Sequence, residues 1–326
     1  MAGDLQRMSE GVAHPIRSAG KGRIMAKPLL PDELWELIEP LLPPHPPHPK
    51  GGRPFLDDRK VLTGIIFILK TGIPWEDLPP EMGCGCGMTC WNRLRDWQTA
   101  GVWDRIHQVL LAHLRGADKI NFSRFIVDTG HVRAVGGGEE TGPSPVDRSR
   151  PGSKHAIVTD GQGAPLVIDT IPANTPDANW TVPLIDAVPP IAGKPGHPRS
   201  RPDRAMGDRG FDDEEQREGL RRRGIDPELA KRRTPHGSGL GGYRWVVERT
   251  ISWFHQFRRL RLRFEPRDDI HQGLCHLAEI LITFRFLVLF GLVEGTQFGR
   301  VILGRLRNRQ FQSVFCCGWD SPPRAI

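Results

Sequence analysis

Three acidic residues stand where the chain could aim them at one point. Asp128 follows the apolar run Phe125-Ile126-Val127, and Asp208 follows Ala205-Met206-Gly207. Glu248 lies within a longer segment of helical pattern. A carboxylate at the end of a strand sits at the rim of a sheet, where open α/β sheets tend to place their sites. Hard divalent cations take oxygen ligands, which carboxylates supply. Two such ions, about 3.5–4 Å apart, can activate an attacking oxygen and steady a leaving one. That chemistry suits the cleavage and transfer of phosphodiesters. Taken alone, the helix face that carries Glu248 reads as a solvated face, with Arg244 and Glu248 an ordinary i,i+4 pair.

The elements that must position them follow from periodicity. From about Arg244 to Phe264, the residues Val246, Thr250, Trp253, Phe257, Leu260 and Phe264 step at helical spacing and predict one core-facing stripe. At roughly 100° per residue, Glu248 falls near the opposite side, with Arg244, Ser252, His255 and Arg259 beside it. Strands are expected at Phe125–Val127, Ala156–Thr159, Leu166–Ile168 and Ala205–Gly207, the second and third joined by the turn Asp160-Gly161-Gln162-Gly163. Asp177–Ala187 and Asp212–Arg223 read as helices. The latter opens on acidic residues and closes on arginines, with Gly224 just beyond. Strands in succession, then alternating with helices, predict a mixed α/β domain.

The first third reads differently. Residues 30–118 predict four helices: Asp32 to Leu41, Val61 to Lys70 capped by Asp57 or Asp58, Thr89 to Gln98, and Val102 to Leu114. On the third, Trp91, Leu94 and Trp97 form an apolar stripe while Arg93 and Arg95 point elsewhere. Short helices with arginines on the third fit a helix-turn-helix-like DNA-binding unit or a generic helical bundle. The stiff run Pro43 to Pro49 is read as a linker. Gly52-Arg53-Pro54 is a possible minor-groove reader. Residues 1–29 are read as a disordered extension, with Met25 a candidate start.

The chain has 326 residues and a net charge of +7, which favours a polyanionic partner. No secretory signal is visible in residues 1–27. The most apolar stretch, Leu277 to Val293, is interrupted by Glu279 and Arg285 and is read as a buried helix rather than a membrane span. Cys84, Cys86 and Cys90 are crowded but lack the spacing of a zinc pair, and free thiols are expected. Arg221, Arg222, Arg223, Lys231, Arg232 and Arg233 could form a DNA-facing patch or a solvated face. His131 could touch DNA, organise the site or pack in a strand, and Lys154 and His155 could meet phosphate or form a solvated strand end.

Several blocks in order resemble bacterial transposases of the insertion-sequence-five type. Ile126-Val127-Asp128-Thr129-Gly130-His131-Val132-Arg133-Ala134 is similar to the first catalytic block. Gly142 to Arg148, Pro151-Gly152-Ser153-Lys154-His155 and Ala173-Asn174-Thr175-Pro176-Asp177 follow it. Gly207-Asp208-Arg209-Gly210-Phe211-Asp212 resembles the second aspartate block. His236 to Leu240 followed by Tyr243 to Thr250 resembles the glutamate block. Upstream, Leu30 to Trp35, Gly51 to Pro54 and Gly87 to Trp91 resemble the N-terminal part. The likeness runs from about residue 28 to 286.

The resemblance implies a ribonuclease-H-like catalytic domain over residues 119–290, a mixed five-stranded sheet with flanking helices. An all-α helix-turn-helix-like domain over 30–118 precedes it, and an atypical tail over 291–326 follows. It implies Asp128, Asp208 and Glu248 as catalytic residues and metal ligands, with two Mg²⁺ or Mn²⁺ ions. It implies cleavage at the ends of an insertion element and attack of the freed 3′ hydroxyl on target DNA. Arg244, Arg249, His255, Arg258, Arg259, Lys154, Arg93 and Arg95 are the expected DNA contacts. The expected partners are terminal inverted repeats, target DNA and a second subunit in a homodimer, at the nucleoid in the bacterial cytoplasm, with no membrane. The wider superfamily often shows a tyrosine three residues before the arginine and a basic residue seven after the glutamate. Here those positions are Gly241 and His255, with Arg258 or Arg259 as substitutes. A nuclease without joining activity and a catalytically impaired DNA-binding repressor fit the same residues.

Overall fold

The structure, a computed structural model, describes residues 28–45, 54–232 and 241–293. Met25, the greater part of the proline run, Gly51 to Arg53, residues 233–240 and residues 294–326 with Cys316 and Cys317 lie outside the described residues.

Four helices come first: α1 Asp32–Ile38, α2 Asp58–Thr71, α3 Gly87–Thr99 and α4 Val102–Gly116. Asp57 caps α2, accepting the Lys60 N–H at 2.9 Å. Asp32 does not cap α1; Pro31 holds that position without a side-chain bond, and Asp32 pairs with Arg59 instead. Each helix buries one stripe, such as Val61, Leu62, Ile65, Ile66 and Leu69 on α2. Cys84 and Cys90 pack against Gly64, where a Cβ would lie 2.9 Å from both sulfurs. Burial pushes the Cys90 thiol up to about 12, so it stays protonated.

The strands β1 Phe125–Ala134, β2 Gly142–Pro143, β3 Pro151–Asp160 and β4 Pro165–Pro172 follow, then helix α5 Thr181–Asp186. Next come strand β5 Arg204–Gly207, helix α6 Glu214–Arg222, strand β6 Asp226–Leu229 and helix α7 Gly241–Phe254. Strand β7 Leu262–Arg263 and helix α8 Asp268–Leu289 complete the described elements. The sheet has seven strands among the described residues rather than the five expected: β4, β3, β1, β5 and β6 lie in that order, the first three antiparallel neighbours and the last three parallel ones, while short β2 pairs with β3 and short β7 with β1. This is the mixed α/β class read from the sequence.

Two expected helices change, and one strand was not expected. The helix expected to reach Phe264 stops at Phe254, because Phe257 turns extended and starts a short 3-10 turn, Arg258–Leu260. That break lets Arg259 reach the carbonyls of Gly72 at 3.4 Å and Ile73 at 3.1 Å, just past the end of α2. Asp177–Ala187 divides into a 3-10 turn, Asp177–Trp180, and α5. Finally, β6 carries Pro227 and two acids, a composition a strand tolerates at a sheet edge, where β6 lies.

Helix α8 ties the parts together. It packs on α3, α4 and β4, and one hydrophobic core runs from Leu30 to Val288. Its 22 residues are long and apolar enough to cross a membrane, but 78% of its apolar window is buried inside the protein, so it serves as a core helix.

Candidate active site

Strand register brings the two aspartates side by side. β1 and β5 run parallel with Phe125 opposite Ala205 and Ile126 opposite Met206. Two residues further on, Asp128 and Asp208 leave that ladder together. Asp128 is not at a strand end, since β1 continues to Ala134 against β3. Asp208 does follow its strand, and it caps the turn Arg209–Phe211 by accepting the Gly210 N–H at 2.7 Å.

Helix α7 brings the glutamate. Asp128 and Gly130 share a face of β1 by alternation. Gly130 lets α7 approach, because a Cβ there would lie 3.1 Å from Ile251. Thr250 donates to the Gly163 carbonyl at 2.7 Å and fastens the helix to the β3–β4 turn. With Val246, Val247 and Thr250 buried, Glu248 stands exposed above Asp128.

The result is a convergence. Arg244 Nη2 lies 3.5 Å from Asp128 Oδ2, 3.9 Å from Asp208 Oδ2 and 3.9 Å from Glu248 Oε1. Each aspartate commits its other oxygen to backbone: Asp128 Oδ1 accepts the Thr129 N–H at 2.9 Å, and Asp208 Oδ1 accepts Gly210. One oxygen of each therefore faces the shared point. The side chains grade from 13% exposed at Asp128 to 40% at Asp208 and 61% at Glu248, so the site has a floor and an open rim. Burial, aided by the charges of Asp208 and Glu248, pushes Asp128 up to about 6, against the pull of the Thr129 N–H and Arg244. The three are oxygen donors of the kind a hard divalent cation takes, and with Arg244 among them their oxygens do not all lie within 4.8 Å of one another.

Beneath the site lies Asp177, to which the sequence reading gave no role. Asp177 accepts from Thr129 Oγ1 at 3.2 Å and from Lys154 Nζ at 2.6 Å. A Cβ on Gly210 would lie 2.8 Å from Asp208 Oδ1 and 3.2 Å from Asp177 Oδ2, so Gly210 leaves room for both carboxylates. Their signal was present in the blocks Ala173 to Asp177 and Gly207 to Asp212, although only the acid of the second was assigned a role.

The expected DNA contacts are scattered. Lys154 is buried and held by Asp177 and the Thr175 carbonyl. Arg259 is buried against Glu265 at 2.6 Å. Arg93 pairs with Asp58 and lies over the rings of Phe55 and Trp97. Arg249 is half-buried between Trp245 and Trp253, 4.8 and 4.6 Å from their ring centres. All four serve packing, because each long side chain finds a carboxylate or an aromatic face inside the fold. Arg95 pairs with Asp96 on the surface, and Arg258 is exposed. His255 follows α7 and lines a cavity of about 410 Å³ with His131, Ser252, Gln256 and Arg261. Ser252 is one turn of α7 beyond Glu248, so this cavity adjoins the acidic cluster. In the proposed basic patch, Arg221 pairs with Glu214, Arg223 with Asp186, and Arg232 donates to the carbonyls of Arg209 and Gly210. Arg233 lies outside the described residues.

A second grouping is fully buried. His155 and His271 place their Nε2 atoms 3.0 Å apart, and Cys275 completes a trio with ligand atoms within 4.8 Å of one another. Burial holds His155 near 3, and the nearby charge of Arg263 works in the same direction. That charge also opposes a cation here, and the trio acts as a neutral joint between β3 and α8.

Residues 30–107 match a family described as "Putative transposase of IS4/5 family", and residues 121–282 match one described as "Transposase DDE domain". The chain is 53% identical over 174 residues to a "Putative transposase for insertion sequence element IS402" of Burkholderia cepacia, covering 53% of this chain and 81% of that protein. It is 61% identical over 123 residues to the "Insertion element IS402 uncharacterized 16.2 kDa protein" of the same organism, covering 37% of this chain and 84% of that protein. With its three carboxylates gathered where β1 and β5 part and these relatives beside it, the chain belongs to the DDE transposases of the IS4/5 type, enzymes of the polynucleotidyl transferase class.

Proposed function

We propose that the protein binds the terminal inverted repeats of an insertion element, cuts there, and joins the freed 3′ ends to target DNA. The carrying observation is the placement of Asp128, Asp208 and Glu248 around one point. In this reading those residues hold two divalent cations, Mg²⁺ or Mn²⁺. When bound, such ions supply Lewis-acid stabilisation of the charge on the attacking and leaving oxygens. The chain supplies the rest. The floor at Asp128 fixes depth, the cap on Gly210 fixes the direction of Asp208, and α7 sets the height of Glu248. The strand order β4, β3, β1, β5, β6, with three antiparallel strands followed by two parallel ones, supports a ribonuclease-H-like assignment for this part.

Exposed Arg261 and His131, which line the cavity beside half-buried His255, and exposed Arg258 further along the chain are the proposed contacts for the DNA backbone, through phosphate oxygens. The helices α1 to α4 are the proposed end-recognition unit; Arg95 is the expected contact that α3 still offers at its surface. A homodimer on DNA, at the nucleoid in the cytoplasm, completes the reading, since an element has two ends to pair.

The test is a strand-transfer assay on purified protein with a labelled duplex carrying the element's own terminal repeat and a supercoiled plasmid. Mg²⁺ should yield label joined to plasmid, and EDTA should abolish it. Cut duplex without joined product would reduce the protein to a nuclease. Binding to the repeat without either product would leave a repressor.

A further inference from the structure

Arg244 stands at the point that the three carboxylates share. Its side chain is only 20% exposed, and its Nε is buried with no hydrogen-bond partner. Yet its contacts to Asp128, Asp208 and Glu248 are long, between 3.5 and 3.9 Å. A guanidinium committed to one carboxylate forms short forked bonds, about 2.7–2.9 Å. This protein makes such bonds elsewhere: Arg217 reaches Asp212 at 2.6 Å, and Arg259 reaches Glu265 at 2.6 Å. Arg244 instead neutralises three acids while committing to none.

We propose that Arg244 is a displaceable internal counter-ion: it gathers the three carboxylates in the metal-free enzyme, and a divalent cation binds by driving it out. This rests on the reading of Asp128, Asp208 and Glu248 as a cation site. Without a positive charge among them, the three acids would repel one another and loosen the turn at Asp208 and the seat of α7. A guanidinium on a long flexible stem can hold them and leave by side-chain rotation alone, with the helix backbone fixed. Arg244 and Glu248 sit one turn apart on α7, so the element that brings the ligand also brings its temporary partner. The more exposed acids, Asp208 and Glu248, mark the side from which a cation enters. The arrangement keeps the site assembled before loading, at the cost of competing with the cation.

The experiment is calorimetric titration of Mn²⁺ into the full chain without DNA, for the wild type, Arg244→Gln, Arg244→Lys and Asp128→Asn. Arg244→Gln should bind Mn²⁺ at least about tenfold more tightly, because a charge close to the ion has been removed. Arg244→Lys should fall between, since a compact ammonium bridges fewer carboxylates than the fork does. Thermal unfolding should show Arg244→Gln less stable than the wild type in EDTA and raised further than the wild type by Mn²⁺. Equal or weaker Mn²⁺ binding by Arg244→Gln, with wild-type binding that Asp128→Asn removes, would overturn the displacement while leaving the cation site intact. Binding that Asp128→Asn does not reduce would overturn the site reading itself. Should Arg244→Gln not fold, Arg244→Lys carries the test, and an affinity no tighter than wild type overturns the proposal.

Discussion

Asp128 is the residue on which the electrostatics of the site converge. Its carboxyl is raised to about 6, first by burial and then by Asp208 and Glu248. Its neutral form is therefore favoured in the folded protein. The resulting contribution to stability is full below the ordinary carboxylate range and is lost as the pH rises through about 6. Cation binding runs the other way, since the ion needs the ionised form. Mn²⁺ affinity should fall as the pH drops through about 6, and in Glu248→Gln the inflection should move to lower pH because one repelling charge is gone. An inflection that stays in place would separate Glu248 from Asp128 electrostatically. Gly210 offers a steric counterpart. A methyl there meets Asp208 Oδ1 at 2.8 Å, so Gly210→Ala should displace that carboxylate. Strand transfer is then expected to fall about 10²-fold, the scale of a misplaced catalytic group, with little change in melting temperature.

At the scale of elements, the segment after α7 matters most. The guanidinium of Arg259, buried with Glu265, clamps the stretch 258–265 to the end of α2. Removing one partner of a buried pair leaves the other charge uncompensated. Arg259→Ala should therefore cost about 3–5 kcal/mol in denaturant unfolding, and it should leave the salt dependence of DNA binding unchanged. A flattened salt slope without loss of stability would return Arg259 to the DNA interface. The sequence could not show this break, because Phe257 and Leu260 continue the helical stripe of Val246 and Thr250 and stay buried by another route. β6 was hidden for a similar reason, its acids and proline being tolerated only because it lies at an edge. In β1, Val132 and Ala134 alternate with His131 and Arg133, a period-two signal interrupted by Gly130. By contrast, α2, α3, α4 and α6 were legible to within a few residues, since caps and amphipathic stripes are local. The three acids were legible from their blocks; their distances were not, because β-register and the approach of α7 are decided by tertiary packing.

At the scale of the whole molecule, α8 makes one core out of parts that read separately in sequence. Its buried face meets α3 and α4 on one side and β4 on the other. At its contact with α4, His107 lies 3.6 Å from Glu279. Burial lowers His107 to about 3 and raises Glu279 well above its usual range, which leaves the two as neutral partners. Fragments 28–118 and 119–293 expressed apart should accordingly be insoluble or lack cooperative unfolding, and co-expression should restore a soluble complex. Two soluble fragments that each melt cooperatively would establish independent domains.

The most direct test of the account is strand transfer by three conservative variants, Asp128→Asn, Asp208→Asn and Glu248→Gln, each shown to be folded and to bind the terminal repeat. The account predicts that every one loses joined product by about 10³-fold or more, as expected when the ligands that stabilise both reacting oxygens are removed. Joining at the wild-type level by any one of the three would contradict it.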